Sequence, residues 1–412
     1  GRTDWIFSRS FEVPAEVVAA SNVVLRLEDV DLFASVYVNG RKLGETFDRF
    51  IRWNFPLAGK LKEGRNEIVV RFASTDRRSY EEAAKYQEFY PGSPHGTAPR
   101  LNYVRTLHCK GGWDWGLSLI DMGLFGTAKI IAVPAEDFRI DYSWWDFDFA
   151  ADYSSCKVTL TAEVVDAAGK HRHEKDTVTV EHPRLWWPAG YGEQPLTELE
   201  FTIRGRKVVK HLGLRKLETV SEPDGEGGLT LGFRVNGVDV FAKGADWIPC
   251  SAYDEEQTPA RYRDLLESAR RANMNTLRLW GGGRFENDAF YEICDELGLL
   301  VWHDFMFACE TAPGYGKYLA AVTQETRHQI HRLRDHACIA LWCGDNECVA
   351  YIPGKDSPGH DFYLKSHLAR TKALARAVEV CDPSRRFLAS SPYGGENHDG
   401  ALSGSPAYAD IH

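Results

Sequence analysis

From about residue 230 onward the chain keeps switching its hydrophobic period, and this switching restricts the fold more than any other feature. Short apolar runs, "NTLRLW", "LLVW", "IALW" and "RFLAS", are separated by longer amphipathic stretches. "TPARYRDLLESARRANM" predicts a helix with Thr258 as N-cap and Pro259 at its first position. A threonine oxygen accepts an orphan N–H there, and proline has none to lose. "ENDAFYEICDELG" places Phe290, Ile293, Cys294 and Leu297 on one stripe and stops at Gly298. "YLAAVTQETRHQIHRLRDH" predicts a third helix, with Leu319, Val322, Thr326, Ile330 and Leu333 inward, and "FYLKSHLARTKALARAVEV" a fourth. The runs between them are apolar on both strand faces, as in a parallel sheet covered by helices. A doubly wound sheet and a (β/α)8 TIM barrel both fit that pattern. The strand ends favour the barrel. Three strands end on Trp280, Trp302 and Trp342 and pass into "GGGRF", "HDF" and "CGDNE", and barrel enzymes place their chemistry at such carboxyl ends.

The preceding part reads as β. "NVVLRLEDVD" and "EIVVRF" have strand length, and Asn39-Gly40 between two strand-like runs is a hairpin signal. Pro134 closes this section. The next stretch, with "CKVTLTAEVVDAAGKHRHEKDTVTVEH" as two strands about a polar turn, has the size of an immunoglobulin-like β-sandwich. "EPDGEGG" at 222–228 then marks a boundary. The expected domains are therefore 1–133, 134–221 and 222–412, within the two or three cores that 412 residues suggest.

A net charge of −10 and no basic stripe exclude a nucleic-acid partner of the usual kind. No apolar run reaches the ~18 residues of a membrane span. The nine cysteines are odd in number and lack CxxC spacing; Cys294, Cys309 and Cys338 lie in apolar runs and read as reduced, buried thiols. Together with the absence of an Asn-x-Ser/Thr sequon, this leans towards a cytoplasmic compartment. Twelve tryptophans suit large cores, and some would suit stacking on sugar rings.

"WGGGRF" has neither GxGxxG spacing nor GK[ST], so its glycines serve a close backbone approach or a tight turn rather than a nucleotide. His303-Asp304 and His108-Cys109 lack a third ligand at metal spacing, and no metal or cofactor is expected. Glu347 is the sharp candidate. It ends an apolar strand beside Asn346 and Trp342, where desolvation, with Asp345 close by, would raise a carboxyl pKa towards that of a general acid. An N-cap or loop salt bridge is the plainer alternative.

The segments "LRLWGGGRFENDAFYEICDELGLLVWHDFMFACETAP" and "RLRDHACIALWCGDNE" resemble the β-mannosidases of glycoside hydrolase family 2. So do "GGWDWG" at 111–116, "RLWWPAGYGEQPL" and "FAKGADWIPC", in the same order along essentially the whole chain. The resemblance implies a sugar-binding jelly roll, an immunoglobulin-like domain and a catalytic TIM barrel. It also implies retaining exo-hydrolysis of terminal β-mannosyl units with two carboxylates about 5–5.5 Å apart, acting on a β-mannoside or manno-oligosaccharide. By position, Glu347 matches the acid/base and Asn346 the residue that bonds the sugar 2-OH. Trp280 and Arg278 match the base of the sugar pocket, and Asp114 an acidic residue for the far hydroxyls. Trp302 and Asp304 are further matches that also suit packing.

The nucleophile of such enzymes is a Glu in a Ser-Glu-Phe-Gly-like segment, and the one Ser-Glu here, Ser221-Glu222, precedes Pro223 at a domain boundary. The chain is thus expected to be a piece of a longer protein, with about five βα units and without the nucleophile. Asp345 and Asp246 stand where Asn is commoner, and Gly111 where an aromatic is usual. Alternatives are a non-catalytic carbohydrate-binding homologue, or another exo-β-glycosidase such as a β-glucosaminidase or β-galactosidase. Against the galactosidase and glucuronidase branches, Arg278-Leu-Trp-Gly-Gly-Gly replaces their Arg-x-x-His-Tyr-Pro.

Overall fold

The computed structural model describes residues 3–92, 95, 100–223, 225 and 230–392. The chain forms two compact units: the first takes residues up to Pro91, His95–Ser143 and Ala162–Glu174, and the second takes Trp144–Thr161 and the residues from Lys175 onward.

In the first unit the strands Trp5–Val13, Gly64–Phe72, Ala34–Val38 and Arg41–Glu45 form one antiparallel sheet. Ala128–Val133, Asn22–Leu27 and Trp53–Pro56 form another. Residues alternate in and out along Ala34–Val38, as a half-buried strand requires. Val36, Val38, Val70 and Phe72 of the first sheet share one core with Val23, Leu25, Leu27 and Phe55 of the second, so the two sheets make a sandwich. Asn39 and Gly40 form the hairpin turn expected of them, joining Val38 to Arg41. Buried Asp31 accepts from Lys110 at 2.8 Å, Thr106 at 2.9 Å and Arg49 at 3.0 Å. These bonds compensate its burial and fix the root of the hairpin Gly111–Trp113/Gly116–Ser118.

The second unit contains a five-stranded parallel sheet. Its strands are β1 (Gly244–Trp247), β2 (Thr276–Leu279), β3 (Leu300–Asp304), β4 (Ile339–Cys343) and β5 (Phe387–Leu388). They lie in sequence order, each parallel to the next. The connections carry α1 (Pro259–Arg271), α2 (Asp288–Leu297), α3 (Gly316–Leu333) and α4 (His360–Cys381). Thr258 caps α1 through its side chain, which accepts from the N–H of Arg261, and Pro259 begins the helix. Gly298 ends α2 at φ 74°, in the left-handed region that lacks a Cβ penalty only for glycine. All five residues of β4 are buried, which is why the run is apolar on both faces. Each fully buried Ile or Leu there contributes roughly 1.5–3 kcal/mol. Leu217, Phe233, Val235 and Val240, from the strands that precede β1, share a core with Leu300, Ala340, Leu341 and Leu388. No helix among the described residues is long and apolar enough to cross a membrane.

Candidate active site

The carboxyl ends of the parallel strands converge on one charged cluster. The register aligns Asp246, Arg278 and Trp302 across β1, β2 and β3. Strand alternation puts Asp304 on the same face as Trp302. The Arg278 guanidinium grips the Asp304 carboxylate with two donors, Nη2 at 2.9 Å and Nε at 3.3 Å. Asp304 is fully buried and also accepts from the Trp302 indole at 3.0 Å and the Gly281 N–H at 3.2 Å. Burial alone would favour the neutral forms of both partners. For Arg278, burial is the largest single influence and pulls its pKa down, but the charge and hydrogen bond of Asp304, helped by Cys343, together outweigh it and hold the pKa above the ordinary value. Asp246 adds to this from 3.9 Å.

Close approach, one of the two expectations for "WGGGRF", accounts for its first two glycines. A Cβ on Gly281 would stand 2.4 Å from the carbonyl oxygen of Phe307, and one on Gly282 would stand 1.9 Å from the Trp280 ring. The turn after β2 thus presses its backbone on the segment after β3 and on its own tryptophan.

Beyond β4 the chain is held between its neighbours. The Asn346 N–H donates to Phe307 O at 2.9 Å, and its carbonyl accepts from Cys309 N–H at 2.8 Å. The Glu347 N–H donates to Ser391 O at 2.8 Å. Glu347 adopts φ 58° and Cys309 φ 52°, both in the left-handed region. The Asn346 amide accepts from Arg278 Nη2 at 3.0 Å and donates to the Cys309 sulfur at 3.4 Å. The Cys309 thiol in turn donates to Oε2 of Glu347 at 3.4 Å. Burial, reinforced by the nearby Glu347 carboxylate, pushes the Cys309 thiol up to about 12, so it is a neutral donor.

Asp345 turns away from Glu347. Its carboxylate accepts from Ser390 Oγ at 2.6 Å and the Cys348 N–H at 3.2 Å, and His367 stands 3.6 Å off. Burial pushes Asp345 up to about 6, against the pull of the Ser390 hydrogen bond and Arg370. Its carboxylate is therefore tied into the scaffold below the turn.

Arg278, Asp304, Trp302 and Asn346 are joined directly by hydrogen bonds, and Glu347 through Cys309. Trp280 lies at the end of β2 with its ring over Gly282. Trp342, expected beside Glu347, is fully buried, stacks on Phe305 and gives its indole N–H to Asp382 at 2.9 Å. Asp114 belongs to the first unit, at the exposed turn of the Gly111–Trp113 hairpin, where His95 lies 3.8 Å from its carboxylate. Cys309 reads from its apolar run as a buried thiol; the structure places it in the loop that follows β3, beyond the buried Phe305–Ala308 segment, where it meets Asn346 and Glu347.

His303, one residue from Asp304, faces α2 instead. Its Nδ1 bonds the Asp304 carbonyl at 2.8 Å and must therefore carry the proton, so Nε2 accepts from Tyr291 OH at 2.9 Å. Burial pushes His303 down to about 3. Elsewhere Asp295, His336 and Cys338 hold potential ligand atoms within 4.8 Å of one another. The Asp295 carboxylate there already bonds His336 Nδ1 and the Cys338 N–H, each at 2.7 Å.

The family described as "Glycosyl hydrolase 2 galactose-binding domain-like" matches residues 1–126. The chain is similar to β-mannosidase B of Emericella nidulans, at 29% identity over 99% of this chain and 52% of that protein. It is similar to the β-mannosidase of Bos taurus at 30% identity, with 99% and 52% covered. Among solved structures it is similar to a β-D-mannosidase from Dictyoglomus thermophilum, with a TM-score of 0.88, 31% identity, and 100% of this chain and 53% of that chain covered. An exo-chitosanase from Amycolatopsis orientalis shares the fold at a TM-score of 0.69 and 16% identity, over 95% of this chain and 45% of its own. The chain spans about half the length of the curated relatives it matches.

Proposed function

We propose, for a chain related along nearly its whole length to the β-mannosidases of glycoside hydrolase family 2, that it carries the acid/base half of a retaining exo-β-mannosidase. The domains are a jelly-roll sandwich over 1–133, an immunoglobulin-like sandwich over 134–221 and part of a TIM barrel over 222–412. Sequential strand order without reversal supports the barrel over a doubly wound sheet. The substrate class is a terminal β-mannoside, and no cofactor takes part.

The observation that carries this reading is the placement of Glu347 at the carboxyl end of β4, hydrogen-bonded through Cys309 and Asn346 to Arg278. Glu347 in its acid form protonates the glycosidic oxygen as the bond to the sugar breaks. As a carboxylate it then takes a proton from the water that releases the glycosyl-enzyme. Asn346 bonds the sugar 2-OH, a contact that strengthens as charge develops at the neighbouring carbon. Arg278, Trp280, Trp302 and Asp304 build the floor of the sugar pocket, with the Arg278 charge set near the second carboxylate. The second carboxylate, the nucleophile, comes from a further segment of the full-length polypeptide.

The test uses the full-length polypeptide that contains this chain. Glu347→Gln should abolish turnover of an alkyl β-mannoside and spare the first, glycosylation step on a dinitrophenyl β-mannoside, whose leaving group needs no proton. Hydrolysis of the β-galactoside or β-glucosaminide in place of the mannoside would remove the mannose assignment. Unchanged turnover in Glu347→Gln would remove the role of Glu347.

A further inference from the structure

We infer that Cys309 is a positioning residue for the acid/base: its thiol locks the Glu347 carboxyl so that Oε1, and not Oε2, carries the transferable proton. This rests on the reading of Glu347 as the acid/base. The polarity of the chain of bonds is forced from one end. A guanidinium has donors only, so Arg278 Nη2 at 3.0 Å requires the oxygen of the Asn346 amide to face it. The amide nitrogen is thereby turned towards Cys309, where it donates to sulfur at 3.4 Å. A sulfur that accepts on that side aims its own hydrogen elsewhere, and Oε2 of Glu347 lies 3.4 Å away.

Two further features favour this role over mere packing. The Cys309 side chain is almost fully buried, and its thiol is pushed up to about 12, so it stays S–H across the working pH range instead of competing as an anion. Its backbone is locked to the same partner, because the Cys309 N–H donates to the Asn346 carbonyl at 2.8 Å. The thiol is thus carried by the segment that the Asn346 peptide holds in place.

The consequence for the proton is direct. An S–H donated to Oε2 stabilises the carboxylate form and occupies that oxygen, so the acidic proton resides on Oε1. Other ionisable groups around the carboxyl are Tyr351, from the short 3-10 turn Cys348–Tyr351, which also bonds the Cys309 sulfur, and Asp345 on the same strand end. Arg278 and Asp304 stand behind Asn346, and His367 and Arg370 of α4 face Asp345. Of these groups, Cys309 donates a side-chain hydrogen bond to Glu347 Oε2 at 3.4 Å.

The experiment measures kcat/KM against pH for the full-length polypeptide with an alkyl and a dinitrophenyl β-mannoside. Cys309→Ala, which removes the donor, should move the alkaline limb for the alkyl substrate up by about half to one pH unit and lower its rate about tenfold. The dinitrophenyl substrate should respond much less. Cys309→Ser restores a donor of the same polarity and should bring the limb back to or below the parental pH. A Cys309→Ala enzyme with the parental limb and the parental ratio between the two substrates overturns the inference. In that comparison Glu347→Gln separates the two readings. If it still turns over the alkyl substrate, Glu347 is not the acid; if it does not, Cys309 alone has been misassigned.

Discussion

Arg278 Nη2 and Asn346 Oδ1 lie 3.0 Å apart, across 68 residues of sequence, and that bond sets which way the Asn346 amide points. The same Nη2 also reaches Asp304 at 2.9 Å, so one nitrogen ties the buried ion pair to the strand end that carries Glu347. The site is therefore assembled outward from a cation whose charge is compensated below and whose hydrogen bonds orient what lies above.

Removing that cation should hurt folding as well as turnover. Arg278→Met leaves Asp304 buried with its charge uncompensated and should destabilise by about 3–5 kcal/mol. Arg278→Lys keeps the charge but not the two-pronged contact, and should lose less stability while still losing activity. Guanidinium unfolding midpoints measured with kinetics check both; a Met variant as stable as the parent would refute the coupling.

The glycines after β2 make a graded prediction. Gly281→Ala meets a backbone carbonyl at 2.4 Å, which no rotamer change relieves, whereas Gly282→Ala meets the movable Trp280 ring. Overpacking of this kind costs about 1–3 kcal/mol. Thermal melts should show the larger drop for Gly281→Ala, and tryptophan fluorescence should change mainly in Gly282→Ala.

Asp345 gives stability a pH dependence of known sign. Its folded pKa of about 6 lies above the ordinary 3.8, so the native state binds the proton more tightly than the unfolded chain. The stability it contributes is complete below about pH 4 and is lost as pH rises through about 6. A shift of about two units corresponds to about 3 kcal/mol. Asp345→Asn keeps an acceptor for Ser390 but has no charge to bury. Its advantage over the parent in urea titrations should therefore grow between pH 4 and 7.

His303 predicts the opposite slope. Its pKa is depressed to about 3 from 6.5, so its stabilisation is present above pH 6.5 and lost as pH falls towards 3. His303→Gln should flatten that acid limb. Tyr291→Phe withdraws the hydroxyl that bonds His303 Nε2 and should cost about 1–3 kcal/mol at neutral pH, read from the same titrations.

Local chemistry was legible in the sequence wherever one or two residues decide it. Thr258 with Pro259 marked the start of α1, Gly298 the end of α2, and the two-sided apolar run a buried β4. The site was legible as a set of strand ends, because parallel strands all deliver their last residues to one edge. What escaped was pairing. Nothing in "WHDF" shows that Asp304 meets Arg278 26 residues away, and nothing in "FACE" shows that its sulfur meets Glu347. Trp342 reads as a neighbour of the carboxylate, yet strand alternation places it beside Phe305 and Asp382. Such contacts are set by register and packing, which a single chain of letters does not encode locally.

Two residues that share a hydrogen bond, Cys309 and Glu347, both hold a backbone conformation in which most side chains are strained by on the order of 1 kcal/mol or more. Thermostability and turnover therefore pull these positions in opposite directions. A selection for heat resistance alone would drift both to glycine, relaxing the loop and deleting the thiol and the carboxyl. A selection for turnover would restore them at the expense of melting temperature, making this pair a local stability–activity trade-off.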